Sequence, residues 1–216
     1  MLVIDLQHIL SSGRYARYSN WAGDSPEYAA WLYQCNVLLS ERKYTSLHIL
    51  EIVLRNRIDE VLSRHFSNEW YNDFTLIKDY RQKENIIKAK EILNKTKRDF
   101  NKGHMIAELT LGFWTSFFNK SYENLWQQYL HDIARTADGK KMERKFFSSR
   151  LDRIRSLRNR IAHHEPILHL DLHAIHHDTL TLIHAMSPAA HAWTMQHSTF
   201  IPALHDHGYS LVGGVA

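Results

Sequence analysis

The sequence predicts an all-α fold, and three observations carry that expectation. Gly (8) and Pro (4) are scarce among the 216 residues, and few turn residues favour long helices over many short strands. Hydrophobic residues make up 44% of the chain, enough for one sizeable core with no disulfide or metal staple. Apolar positions also recur at helical spacing, as in Leu47, Leu50, Leu54, Ile58 and Val61, the stripe of a helix that buries one face. The length suits one domain: a helical body over residues 1–185, followed by a C-terminal helix and tail over 186–216.

Each element follows from its own signals. Ser25-Pro26-Glu27 reads as a helix start, with a hydroxyl N-cap, Pro at the first helical position and an acid near the positive dipole end. That helix is expected to run to about Lys43, and a second from Tyr44 to about His65. Residues 66–77 read as a connector with aromatic anchors. Residues 78–102 are polar and helix-prone, and Gly103 ends that helix. Residues 104–118 are largely apolar and predict a buried central helix. Residues 121–135 form an amphipathic helix closed by a turn at Ala137-Asp138-Gly139. The next helix spans about 142–164, with Phe146, Leu151, Ile154, Leu157 and Ile161 on one side. It ends at two histidines, because Glu165 precedes Pro166 and is pushed away from α geometry. A further helix covers about 168–185, Ser187-Pro188 opens a last short one, and the end is loose.

Composition narrows the function classes. The single cysteine, Cys35, allows no internal disulfide and no cysteine-rich zinc site, which fits a reducing cytoplasm. It is expected to be a small buried hydrophobe. The opening MLVIDLQHIL lacks a basic n-region and is a poor signal peptide. No window of about 18 uninterrupted apolar residues exists, so no transmembrane helix is expected. The formal net charge of +4 and a pI near 9.1 permit a polyanionic partner without requiring one.

The chemistry concentrates in Ser156-Leu157-Arg158-Asn159-Arg160-Ile161-Ala162-His163-His164-Glu165-Pro166. On a helix, Asn159 and His163 sit one turn apart on one face, and the long Arg158 side chain can swing toward them. The histidines fall at the C-terminal end, where unpaired carbonyls favour positive charge. An Arg, an Asn and a His together can hold a phosphate and move a proton, which is what metal-free RNA cleavage requires. A base takes the 2′-hydroxyl proton, the oxygen attacks the adjacent phosphate, and a permanent cation stabilises the phosphorane. Spacing alone also fits a His-capped helix end with its arginines in surface ion pairs.

LRNRIAHHEPI resembles the signature of Abi-like proteins, a branch of the HEPN superfamily linked to abortive infection of phage and to toxin systems. The shared motif is an Arg, a polar residue and, after a short spacer, a His; here these are Arg158, Asn159 and His163. LEIVLRNRIDEVL at 50–62, and AELTLGFWTSFF at 107–118 followed by Leu125-Trp126, are similar to the same family. The resemblance extends over about residues 12–185. It implies a helical bundle of the HEPN type, a homodimer with facing motifs, and metal-independent endoribonuclease activity in active members. Other members bind nucleotides or are silent, so the alternative is a non-catalytic RNA- or nucleotide-binding module that acts through protein contacts.

The candidate catalytic group is therefore Arg158, Asn159, His163 and His164, with His164 or the second protomer's His163 as the other proton carrier. Glu51, Arg55 and Asn56 form a supporting group; Glu51 and Arg55 are also spaced for an ordinary helix ion pair. Lys88, Lys90, Lys95, Lys97 and Arg98 lie in a stretch, 78–102, with nine Lys/Arg against four Asp/Glu. It reads either as a solvated face or as a surface for an RNA backbone. Of the sixteen histidines, eleven fall between His163 and His207, and His169, His173 and His177 are spaced one turn apart. No accompanying ligands show a known zinc spacing, so no metal and no cofactor is expected. The six tryptophans read as core anchors. The expected partners are an RNA substrate, a second copy of the chain, and an antitoxin or phage-derived trigger, in the cytoplasm and away from membranes.

Overall fold

The structure, a computed structural model, describes residues 6–96, 101–136 and 138–207. Its helices are α1 (Leu6–Ile9), α2 (Ser12–Trp21), α3 (Pro26–His65), α4 (Tyr80–Lys95), α5 (Lys102–Glu108), α6 (Leu111–Ser116), α7 (Glu123–Gln128), α8 (Arg144–Ala162), α9 (Leu172–Met186), α10 (Pro188–His197) and α11 (Phe200–His207). Short 3-10 turns occupy Trp70–Asn72, Lys120–Tyr122 and Leu130–Ile133. No strand occurs among the described residues, so the chain is all-α.

The organising element is α3, a single helix of 40 residues, about 60 Å long at 1.5 Å per residue. It starts as the sequence indicates: Ser25 Oγ accepts from the Tyr28 amide at 3.3 Å and Pro26 opens the first turn. The break expected near Lys43 is absent. No Gly or Pro follows Pro26 until the helix ends, and the polar residue that mimics an interruption is buried in the stripe. Ala29, Leu32, Cys35, Asn36, Leu39, Lys43, Ser46, Leu47, Leu50, Leu54, Ile58, Val61 and Leu62 all face inward. α2, which no capping or periodic signal announces, crosses the first part of α3, where Tyr18 packs edge-on against Tyr33. α9 lies along the middle of α3, and α8 packs on α9. α10 and α11 also pack on α3; Phe200 of α11 is fully buried.

At the other end an aromatic core joins α6, α7 and α8. Trp70, Phe113, Trp114 and Phe117 cluster through mostly edge-on contacts, and Phe118, Trp126 and Phe147 form a second group. Trp70, Trp114 and Trp126 are the anchors expected, whereas Trp193 is 46% exposed. The stretch 104–118 is not one helix. The chain extends at Leu109, whose carbonyl accepts from Trp114 Nε1 at 3.2 Å, and Thr110 caps a new start at the Phe113 amide. Gly103 lies inside α5 rather than ending a helix. The helix expected over 121–135 stops at Gln128 and continues as a 3-10 turn. There Arg57 takes the carbonyls of Ile133 and Asp132 at 3.1 and 3.2 Å.

Lys43 is fully buried. Its Nζ lies 3.0 Å from His176 Nδ1 and 3.1 Å from Thr179 Oγ1, with the Phe200 ring centroid at 5.1 Å. A neutral amine has two N–H donors, and two acceptors are present; an ammonium would leave one donor unbonded. Burial pulls its pKa down to about 7, offset only in part by nearby Asp178. The unfolded chain holds this proton up to the ordinary lysine range, so from about pH 7 to 10.5 it binds more protons than the folded chain, and stability rises with pH across that window. Lys43→Met should therefore raise the Tm most at and below pH 7, by roughly 3 °C or more, with the gain shrinking toward pH 10.5. Melting curves of both proteins across this range check it; a pH-independent gap contradicts it.

Candidate functional site

The register of α8 decides what each of its residues does. Phe147, Leu151, Ile154 and Leu157 face the core. Arg150 Nε and Arg153 Nη2 reach the carboxylate of Asp178 on α9 at 3.1 and 2.5 Å, and that carboxylate is almost fully buried. These ion pairs fasten α8 to α9. Arg144 is likewise engaged, with Glu123 and the Phe118 carbonyl. Arg155 pairs with Asp152 at 3.4 Å on the surface, where such a pair contributes little. Arg158 is different: it is half-buried, flanks Ile154 and Leu151 on the helix, and makes no hydrogen bond or ion pair among the described residues.

The end of α8 is a closed C-terminal cap. The His164 amide donates to the Ile161 carbonyl at 3.1 Å and the Glu165 amide to the Arg160 carbonyl at 2.8 Å. His164 takes φ +55°, the left-handed position that usually belongs to Gly in this paired-bond termination. Arg160 pairs with Glu165 at 3.3 Å across the bend. The chain then turns inward, and Pro166 and Ile167 are buried. The Ile167 amide donates to Asn36 Oδ1 of α3 at 2.7 Å. From the other side Arg14 of α2 donates to the His163 carbonyl at 3.1 Å, placing a cation at the negative end of the helix. Three elements therefore fix where the two histidines stand.

Asn159, His163 and His164 are all exposed. On an ideal helix Asn159 and His163 project about 40° apart, one turn from each other, while Arg158 projects about 140° from His163. His164 leaves the helical path because of its left-handed backbone. The geometry thus brings Asn159 and His163 together, fixes them on a rigid end, and turns Arg158 of the same chain away from His163.

The other candidates lie elsewhere. Arg55 sits roughly 28 Å further along α3 than Asn36, at 1.5 Å per residue, so Glu51, Arg55 and Asn56 do not share the site within one chain. Glu51 and Arg55 form no ion pair among the described residues, and Arg55 Nε is buried without a partner. Lys88 and Lys95 are exposed on α4, whereas Lys90 donates to Asn72 Oδ1 at 2.6 Å. Lys97 and Arg98 lie outside the described residues. The described residues hold no group of three or more His, Cys, Asp or Glu placed to bind a metal ion. No helix among them is long and apolar enough to cross a membrane. Arg14 is the residue sequence reasoning missed; its partner is 149 positions away, and no local pattern announces such a contact.

Among known proteins, the model of the family described as "Abi-like protein" matches residues 9–169. The match includes α2, α3 and the whole 158–166 segment and stops just before α9. No curated protein and no solved structure matches the chain.

His164→Gly should relieve the left-handed strain at the cap and stabilise the fold by about 0.5–1 kcal/mol, a rise in Tm of roughly 1–3 °C. Thermal melting checks this; a fall in Tm would mean that the ring makes a stabilising contact.

Proposed function

The chain belongs to the Abi-like protein family, and from that premise we propose that it is a metal-independent endoribonuclease of the HEPN kind acting in abortive-infection defence against phage. The observation that supports this best is the end of α8: a rigidly held, exposed His163, one turn from Asn159, and on another flank of the same helix end an arginine that no carboxylate neutralises. Arg144, Arg150 and Arg153 of the same helix are ion-paired, whereas the unpaired guanidinium of Arg158 is available to a phosphate.

In this reading, His163 takes the proton from a ribose 2′-hydroxyl. The 2′-oxygen then attacks the adjacent phosphorus, and the P–O5′ bond breaks. Arg158 stabilises the negative charge of the phosphorane, and Asn159 orients the phosphate or the imidazole. The leaving 5′-oxygen needs a proton, and the products are a 2′,3′-cyclic phosphate and a 5′-hydroxyl. Because Arg158 and His163 of one chain diverge by about 140°, a two-fold dimer that brings both copies of Arg158 and His163 to one phosphate completes the step: one His163 is the base, and the second, protonated, gives its proton to the leaving 5′-oxygen. Lys88 and Lys95 of α4 offer a second, more distant contact for an RNA backbone.

His163→Ala should fold as the parent does and lose cleavage by about a hundredfold or more. Wild-type cleavage should persist in EDTA and leave cyclic-phosphate ends. Total dependence on added Mg²⁺ is the result that rules this mechanism out.

The dimeric arrangement has its own check. Co-expressed Arg158→Ala and His163→Ala chains should give heterodimers whose cleavage differs from that of either mutant homodimer. A strictly monomeric protein with full activity excludes the shared site.

A further inference from the structure

A second group of cationic and aromatic side chains adjoins the end of α8, contributed by α2 and by the segment that follows the cap. Arg14 and Arg17 stand one turn apart on α2 and both are exposed. The 3.1 Å bond from Arg14 to the His163 carbonyl sets this face of α2 directly against the histidine end. His169 is exposed, and its ring lies 5.9 Å from that of Trp21 at a tilt of 40°. Tyr18 braces Trp21 edge-on at 5.7 Å. Arg17 and Arg160 both act electrostatically on His169 and, after burial, help to hold its pKa below the ordinary value. The ring is therefore an exposed aromatic face with guanidinium groups in its electrostatic reach.

Glu165 pairs with Arg160 and Asp24 accepts from Ser19 Oγ at 3.1 Å, so the charge of Arg14 and Arg17 is not cancelled by a local carboxylate. Arg17 makes no hydrogen bond or ion pair among the described residues. An exposed arginine with no protein partner does nothing for the core. Two arginines beside an aromatic ring supported from behind are what single-stranded RNA requires: charge for the backbone and a flat face for a base.

Resting on the ribonuclease reading above, we propose that Arg14 and Arg17 bind the phosphate next to the scissile one and that His169, backed by Trp21, stacks on the adjoining base. Single-stranded RNA then runs from His163 across α2, and this subsite, not the Arg/His motif, sets which nucleotide is preferred beside the cut.

The test uses the full chain and a short fluorescein-labelled 2′-O-methyl oligoribonucleotide, which lacks the attacking hydroxyl and reports binding alone. Arg17→Gln, an exposed change that breaks no bond in the fold, should weaken binding about fivefold at low salt and flatten the salt dependence by about one cation's worth. His169→Ala should weaken it by about fivefold or more at every salt concentration, with the slope unchanged. On cleavable RNA, His169→Ala should also blur the base preference beside the cut. Binding and cut-site preference unchanged in both variants overturn the subsite, as does a wild type that does not bind the oligonucleotide. A wild type that binds through Arg17 and His169 but leaves unmodified RNA uncut keeps the subsite and removes the nuclease reading. A wild type that cuts RNA while both variants behave like the parent does the reverse.

Discussion

The hydrogen bond from the Ile167 amide to Asn36 Oδ1, 2.7 Å long and buried, fixes the geometry on which the candidate site depends. Asn36 lies in the inward stripe of α3 and is 4% exposed. A buried amide oxygen there must find a donor or destabilise the fold. The donor comes from the strand of chain just past Pro166, so the path away from α8 has little freedom. That path forces the sharp bend at His164, and the bend leaves His163 and His164 outside the core while Ile167 goes in. Arg14 completes the clamp from the opposite side. A catalytic or binding group held at the end of a helix by contacts from two other helices is better placed than one on a free loop.

The arginines of α8 show how one residue type acquires different roles from register alone. Arg150 and Arg153 share Asp178 and join two helices. Arg144 holds Glu123 and a main-chain carbonyl near the aromatic core. Arg160 spans the cap to Glu165. Arg158, one position from Asn159, is left half-buried with no carboxylate facing it. Ion-paired arginines hold the helix to its neighbours, and Arg158 is left without a carboxylate near its histidine end.

Polar residues inside the long helix serve the same economy of contacts. Lys43 and Asn36 both interrupt an apolar stripe, and each meets a partner from the C-terminal half of the chain: His176 and Thr179 for Lys43, the Ile167 amide for Asn36. Two such pairings specify how α9 and the segment before it seat on α3, because a shift by one turn would leave both polar groups unpaired. α9 lies beyond the stretch matched by the Abi-like family, yet it supplies Asp178, His176 and Thr179, and α8 could not dock as it does without it.

The sequence by itself determined the all-α class, the start of α3 at Ser25-Pro26, the Leu151, Ile154 and Leu157 stripe of α8 (though Phe147, not Phe146, extends it into the core) and the helix end just before Pro166. Each of these follows from local periodicity, capping chemistry or proline sterics, which act over a few residues and are legible in any stretch that contains them. It also marked Arg158, Asn159 and His163, because their spacing and resemblance are linear features. Tertiary structure alone decided that α3 runs unbroken past Lys43, that 104–118 divides at Thr110, and that Trp193 stays exposed while Trp70, Trp114 and Trp126 are buried. It also set Glu51, Arg55 and Asn56 far along α3 from the histidine end, and brought Arg14, Arg17 and His169 to it. The reason is the same in each case: whether a polar side chain ends a helix or is buried within it, and whether a cation is paired or free, depends on a partner distant in sequence, and only the packed bundle selects that partner.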